Sequence, residues 1–401
     1  MHDALQKEIA TYEKRTRKSA LAHKRALERI PLGVASNYRH YEPYPIFVQD
    51  GKGSRIHDVD GNEYIDHNLC FGALMAGHCH PAVVQAVEQK LHQGTTFGMP
   101  HEQEWELAEE ISKRYPVEMV RFGSSGTEVT MHACRIARAA TGRDKILKFE
   151  GSYHGLHDTA LVSVKPKAED YGDPDAPSSV PGGGGVPKSA LQNVVVASFN
   201  NLKSVENRFQ QYPGQIAAII LEPILMNVGL CLPQPGFLQA LRDTCNKNGA
   251  LLIFDEVKTG AKLAWGGASE FFGVKPDLIC LAKSIGGGLP LGAFGASRAV
   301  GLLAYVASAG VNGALMLYPK EIQNYRDWTK IDVDLWRHYW FGMVNRGVLA
   351  QPYWWDEQWT ISVQHTEADI DKHLAVFEEV APALRKAQEE RGLAFVGAAG
   401  H

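Results

Sequence analysis

Apolar positions along the chain recur in two rhythms. One repeats every three to four residues; the other consists of short, unbroken apolar runs. The first rhythm predicts helices over 82–93, 102–115 and 127–140. Pro81 opens the first, Pro116 stops the second and Gly142 lies just beyond the third. A fourth helix, 237–248, sits between Pro235 and Gly249. The second rhythm predicts strands at 146–149, 194–197, 216–221, 251–254 and 278–281. Fully apolar strands separated by helices imply a mostly parallel α/β sheet covered on both faces.

The flanks differ. Residues 2–30 are charged, with apolar residues at Leu5, Ile9, Leu21 and Leu27, which fits an amphipathic helix rather than a signal peptide. The stretch 165–189 holds Pro166, Pro174, Pro177, Pro181, Pro187 and the glycines from 182 to 185, and is expected to be a long loop. It fits either a surface excursion or a lid over a site. Past residue 300 the chain becomes rich in tryptophan (Trp328, Trp336, Trp340, Trp354, Trp355, Trp359), and a last helix begins near Glu367. The expected division is 61–298 as a large domain, 299–401 as a smaller one, and 1–60 as a segment that completes the smaller.

With 401 residues, 45% hydrophobic and 21% charged, the chain can bury a core in two domains. Its net charge of -4 is spread without a polybasic face, which argues against nucleic acid and anionic membrane as partners. No run reaches the ~20 apolar residues that span a bilayer. The six cysteines lack C-x-x-C spacing, as expected of reduced thiols in the cytoplasm.

Three ionisable residues fall at the C-terminal ends of predicted strands: Glu222, Asp255 and Lys283. Open α/β sheets bind ligands in the crevice at that edge. Lys283 precedes Gly286, Gly287 and Gly288, which let a flat ligand approach the backbone, and a desolvated lysine becomes nucleophilic toward an aldehyde. Ser124, Ser125, Gly126 and Thr127 stand just before a helix, where N–H groups attract an anion; an ordinary helix cap reads the same way. His78, Cys79 and His80 look like metal ligands, but three consecutive residues close poorly on one ion, and a turn before the Pro81 helix is the better reading.

Taken together, Asp58-Val59-Asp60-Gly61-Asn62-Glu63-Tyr64-Ile65-Asp66, Gly77-His78-Cys79-His80-Pro81, Ser125-Gly126-Thr127-Glu128, Tyr153-His154-Gly155, Asp255-Glu256-Val257 and Lys283 with its glycines resemble the class III aminotransferases of pyridoxal-phosphate (PLP) fold type I. Among these the chain is most similar to glutamate-1-semialdehyde 2,1-aminomutase. The resemblance covers about 31–298 and 310–374. It implies a large domain with a mostly parallel seven-stranded sheet, a smaller α+β domain, a homodimer, and a small amino acid or oxo acid as substrate. It further implies that Lys283 forms the Schiff base with PLP and that Asp255 pairs with the pyridinium. At ~4 Å and an effective dielectric near 20 that pairing is worth roughly 4 kcal/mol, or about three pKa units. Ser125, Gly126 and Thr127 would hold the phosphate, Tyr153 would stack on the ring, Asn227 would bond the phenolic oxygen, and His154, Glu222 and Val257 would complete the cofactor contacts. Ser36, Arg39 and Glu357 would meet the substrate, Arg39 through its carboxylate.

The chain also departs from the family. After Ser297-Arg298 the usual Gly-Thr-Phe-x-Gly-Asn-Pro segment and the following helix are missing, and Gly310-Val311-Asn312-Gly313 already resembles the smaller domain. The absent threonine normally reaches the phosphate from the other subunit. One such bond is worth about 1.5–3 kcal/mol, or about ten- to a hundredfold in cofactor affinity. Ser124 replaces a common Asn, and Cys70-Phe71 replaces a Ser-Trp pair of the aminomutase. Two other readings stay open: a transaminase of β- or ω-amino acids, and a homologue of the fold that has lost catalysis.

Overall fold

The structure, a computed structural model, describes residues 2–297, 333–346, 348 and 366–390. Its residues group into two compact units, one within 1–95 and 102–303, the other within 96–101 and 304–401. The Arg298 junction, Gly310 to Gly313, Glu357 and the tryptophans at 328, 354, 355 and 359 lie outside the described residues.

The first unit begins with helices α1 (His2–Arg15) and α2 (Arg17–Ala26). Helix α2 takes its cap from far along the chain: Asp60 accepts the N–H of Lys18 at 2.6 Å and of Ser19 at 2.9 Å. Asp60 stands at the turn of a small antiparallel sheet, β1 (Val48–Lys52), β2 (Arg55–Asp58) and β3 (Glu63–Ile65). Helices α3 (Pro81–Leu91) and α4 (Glu102–Arg114) follow. His78 precedes α3 and bonds Asp66 at 2.7 Å, so the His-Cys-His run is a structured turn, and no metal cluster occurs among the described residues.

Seven strands form the main sheet in the order β4-β12-β11-β10-β9-β5-β8. They are β4 (Met119–Gly123), β5 (Lys145–Phe149), β8 (Val194–Ala197), β9 (Ile216–Leu221), β10 (Leu251–Asp255), β11 (Leu278–Leu281) and β12 (Gly292–Ala296). β12 runs antiparallel to both its neighbours, β4 and β11, and every other pair is parallel. On one face helix α5 (Gly126–Thr141) buries Val129, Ala133, Cys134 and Ala137 against Ile146, Ile220 and Ile253. On the other, α8 (Phe237–Asn248) buries Leu238, Leu241 and Cys245 against Leu147, Leu221 and Leu252. Burial on both faces explains why strands β8, β9 and β11 are apolar at every position rather than at every second one.

Sequence reading missed β4 and β12 because neither is an apolar run. β12 is Gly-Ala-Phe-Gly-Ala, and its smallness is a packing requirement: a Cβ at Gly292 would come within 2.9 Å of Ser125 O, and one at Gly295 within 2.8 Å of Val117. The stretch expected as a free loop is tied down. It folds a two-stranded ribbon, β6 (Gly172–Asp173) with β7 (Ala176–Pro177), and a short helix α6 (Lys188–Asn193). Arg208, on helix α7 (Leu202–Gln211), donates to the carbonyls of Val196 and Pro177 and so clamps the ribbon to β8. After β10 the short helix α9 (Gly267–Phe272) leads into β11.

In the second unit, α10 (Val333–Val344) and α11 (Glu367–Glu390) bury Leu335, Trp336, Tyr339 and Met343 against Val376, Val380 and Leu384. No helix of the described residues is long and apolar enough to cross a membrane.

Candidate active site

The parallel strands end at one edge of the sheet, and five chain segments converge there. β4 delivers Ser125, Gly126 and Thr127; β5 leads to Tyr153 and His154; β9 ends at Glu222; β10 ends in Asp255; β11 is followed by Lys283. Because β12 is antiparallel, its entry rather than its exit faces the same edge and contributes Leu289, Pro290 and Leu291. Together with Asn227 and Val257 these residues line one cleft of about 260 Å³. All ten residues proposed to bind a cofactor are thereby brought together.

At the mouth of α5 the sequence Ser125-Gly126-Thr127-Glu128 forms a capping box. Ser125 Oγ accepts the N–H of Glu128 at 3.2 Å, and Glu128 Oε2 accepts that of Ser124 at 2.8 Å. The N–H groups of Gly126 and Thr127, which head the helix, have no intrahelical acceptor and stand where the dipole favours an anion. Gly126 keeps this approach open: a Cβ there would press to 3.1 Å on the Val257 side chain.

Asp255 is 4% exposed. Its Oδ2 lies 2.7 Å from His154 Nδ1, and its Oδ1 accepts the Val257 N–H at 3.1 Å. His154 is also buried, and its Nε2 has no hydrogen-bond partner among the described residues. Glu222 Oε1 accepts the N–H of Tyr153 at 2.9 Å, while Oε2 accepts Asn227 Nδ2 at 2.8 Å. Burial raises the Glu222 carboxyl above its ordinary range, against the pull of its hydrogen bonds. Lys283 sits at φ 51 in a tight turn, a left-handed conformation costly for any residue with a Cβ. Burial holds its ammonium below the ordinary lysine value, with Asp255 acting in the opposite sense.

Several contributors carry no sequence signal. Lys148 is fully buried on β5, and its Nζ donates to the carbonyls of Ser152 and Ala160, both at 3.1 Å, and of Val162. Those carbonyls belong to the loop that carries Tyr153 and His154. Burial lowers the Lys148 ammonium to about 7, while three carbonyl acceptors and the nearby Glu222 favour its charged form. Lys258 reaches into the cleft and donates to Asn227 Oδ1 at 2.8 Å. Tyr38 packs edge-on against Tyr153 with ring centres 5.7 Å apart. Its neighbours Ser36 and Arg39 are not brought into the cleft: Ser36 is half-buried beside a short 3-10 turn, and Arg39 is exposed. The ribbon and loop of 165–189 contribute nothing to the cleft lining.

The donor set fits pyridoxal phosphate. A half-buried lysine with lowered basicity, a buried carboxylate held by a histidine, and a helix N-terminus kept open by glycine are grouped in one cleft.

Comparison with known proteins agrees. Residues 36–312 match the family described as aminotransferase class-III. A glutamate-1-semialdehyde 2,1-aminomutase of Methanopyrus kandleri is 36% identical over 436 positions, covering 93% of this chain and 99% of that protein. Those 436 positions exceed the 401 residues of the chain, so the alignment leaves gaps in this chain. The aminomutase of Desulforamulus reducens is 48% identical over 275 residues, 68% of this chain and 62% of its own length. Among solved structures, an omega-transaminase from Sphaerobacter thermophilus superposes with a TM-score of 0.70 at 28% identity, over 90% of this chain and 98% of that one. A glutamate-1-semialdehyde aminomutase from Pseudomonas aeruginosa PAO1 in complex with PMP gives 0.67 at 25% identity, over 85% and 76%.

Proposed function

Since this chain belongs to the class-III aminotransferase family, whose members depend on pyridoxal phosphate and act on small amino and oxo substrates, we propose that it binds this cofactor at Lys283 and transfers amino groups in the manner of an aminotransferase or aminomutase. The observation that carries this reading is the convergence of Lys283, Asp255, Tyr153 and the Ser125–Thr127 turn on one cleft.

When bound, pyridoxal phosphate supplies an aldehyde that condenses with amines and a ring that draws electrons from the carbon beside the nitrogen. The chain's residues do the rest. Lys283 Nζ, its basicity lowered by burial, would take a proton from the substrate carbon and return it at another atom. Such general acid–base work is typically worth about 10²- to 10⁴-fold in rate. Asp255, held in place by His154, would keep a proton on the ring nitrogen. Ser125, Gly126 and Thr127 would hold the phosphate, and Val257 would contribute an apolar contact. Asn227 has one amide N–H on Glu222 and a second for the phenolic oxygen. Family resemblance assigns Ser36, Arg39 and Glu357 to substrate; Ser36 and Arg39 do not line this cleft, and Glu357 lies outside the described residues.

The likeness to an omega-transaminase favours a second reading of the substrate, a β- or ω-amino acid. Turnover of glutamate 1-semialdehyde without an added acceptor separates the two. We further infer a homodimer in the cytoplasm. Phe71, Met75, Val84, Leu91 and Leu289 are exposed apolar side chains, the kind of surface a second copy would cover. The free, exposed Cys70 and Cys79 suit a reducing compartment.

The test is direct. Purified protein incubated with cofactor should show a visible absorption band, and borohydride reduction should leave the cofactor's mass on the peptide containing Lys283. Lys283→Ala should lose both. A wild-type protein without the band, or label on another lysine, would sink the proposal.

A further inference from the structure

The amide of Asn227 is held at both ends by groups that allow it one orientation. Its Nδ2 donates to Glu222 Oε2 at 2.8 Å, and its Oδ1 accepts from Lys258 Nζ at 2.8 Å. A lysine only donates, and Glu222 already receives the N–H groups of Tyr153 and Met226. Turning the amide over would set donor against donor at Lys258 and oxygen against oxygen at Glu222. The remaining N–H of Asn227 is therefore fixed as a donor, and Asn227 and Lys258 both line the cleft.

Lys258 is itself held in place. It stands in the turn that follows β10, where buried Glu256 accepts the Thr259 hydroxyl at 3.0 Å and the N–H groups of Ala268 and Ser269 at 2.6 and 2.9 Å. The Gly260 N–H closes the turn on the Glu256 carbonyl at 2.7 Å. Asn227 belongs to a 3-10 turn after β9, Met226–Val228, so its bond to Lys258 ties two loops together across 31 positions of sequence. Lys258 is half-buried and has no ion-pair partner among the described residues, so no carboxylate offsets its charge directly. An ammonium that gives its hydrogen bond to a neutral amide draws electrons toward the amide oxygen and makes the N–H at the other end a stronger donor. The polarised N–H and the nearby positive charge act in the same sense, toward an anionic oxygen. Family resemblance assigns Asn227 to the phenolic oxygen and gives Lys258 no role.

We propose that Lys258 is a positioning residue, which fixes and polarises the Asn227 amide so that this edge of the cleft prefers a ring bearing an anionic oxygen to one without it. The proposal rests on the amino-transfer reading and adds a residue that acts on the cofactor through another side chain.

The test uses full-length protein freed of cofactor and two ligands without an aldehyde, pyridoxine 5'-phosphate and its 3-deoxy analogue, which differ only in the ring oxygen. Calorimetry should find the wild type preferring the oxygen-bearing ligand about 10- to 100-fold, the size of one charge-assisted bond. Lys258→Met should lower that preference about tenfold and leave the affinity for the 3-deoxy ligand unchanged, and Lys258→Arg should keep most of it. Asn227→Ala should abolish the preference, and adding Lys258→Met to it should cost nothing more. Equal binding of both ligands by the wild type, equal loss of both in Lys258→Met, loss of the preference in Lys258→Arg, or a further loss in the double variant would each overturn the proposal. None of these outcomes touches the borohydride label at Lys283, on which the amino-transfer reading stands; absence of that label fails the reading and this proposal with it.

Discussion

A few buried ionisable residues set the chemistry of the cleft, and each does so through one or two named partners. Asp255 and His154 share a hydrogen bond at 2.7 Å in surroundings almost free of water, which orients the carboxylate without the help of solvent. One turn along the same loop, His157 shows the opposite consequence of burial. Desolvation, then repulsion from His154 and Arg138, lowers its imidazolium from 6.5 to about 4. Between those values the unfolded chain binds a proton that the folded protein refuses, so stability should fall as pH drops from about 6.5 to about 4 and level off below. The loss is about 2–3 kcal/mol. Urea midpoints of the wild type and His157→Gln, compared at pH 7 and pH 4.5, check it: the variant should show the smaller drop.

At the level of elements, the loop from Glu150 to Ser163 depends on a residue of the strand before it. Lys148 Nζ binds three of its carbonyls, so the positions of Tyr153 and His154 rest on a side chain that touches neither the cleft nor solvent. Lys148→Met keeps most of the volume and leaves those carbonyls without a donor. The expected cost is about 3–5 kcal/mol, since one unsatisfied buried group alone costs about 1–3 kcal/mol. Amide exchange across 152–162 should speed up more than in β9. Uniform acceleration over the sheet would show that Lys148 supports the whole fold rather than this loop. Gly267 makes a similar point about α9. It sits at φ +66, and a Cβ would fall 2.2 Å from the Glu256 carboxylate that caps α9 through Ala268 and Ser269.

For the molecule as a whole, a ligand that binds only the folded state adds to stability in proportion to the logarithm of its excess. Cofactor at a hundred times its Kd should stabilise the protein by about 2.7 kcal/mol. Thermal melts with and without cofactor should therefore separate by a few degrees, and by less in Lys283→Ala. An unshifted wild-type melt would mean that the cleft does not hold the group. How far this picture was legible beforehand depended on the range of the interactions involved. Apolar runs announced β5, β8, β9, β10 and β11 because burial on both faces leaves few polar positions, and the rule that ligands meet the carboxyl ends of parallel strands then pointed to Glu222, Asp255 and Lys283. The capping box likewise lies within four residues, so Ser125 and Gly126 could be read locally. Tertiary structure alone decided the rest. β12 is a strand because it must fit between two others, which calls for glycine and alanine rather than β-formers. Lys148 and Lys258 look like ordinary lysines in the sequence, and only the fold brings them beside the carbonyls and the amide that give them their roles. Local order is written in neighbouring residues, whereas the charge and burial of a side chain depend on groups tens of residues away.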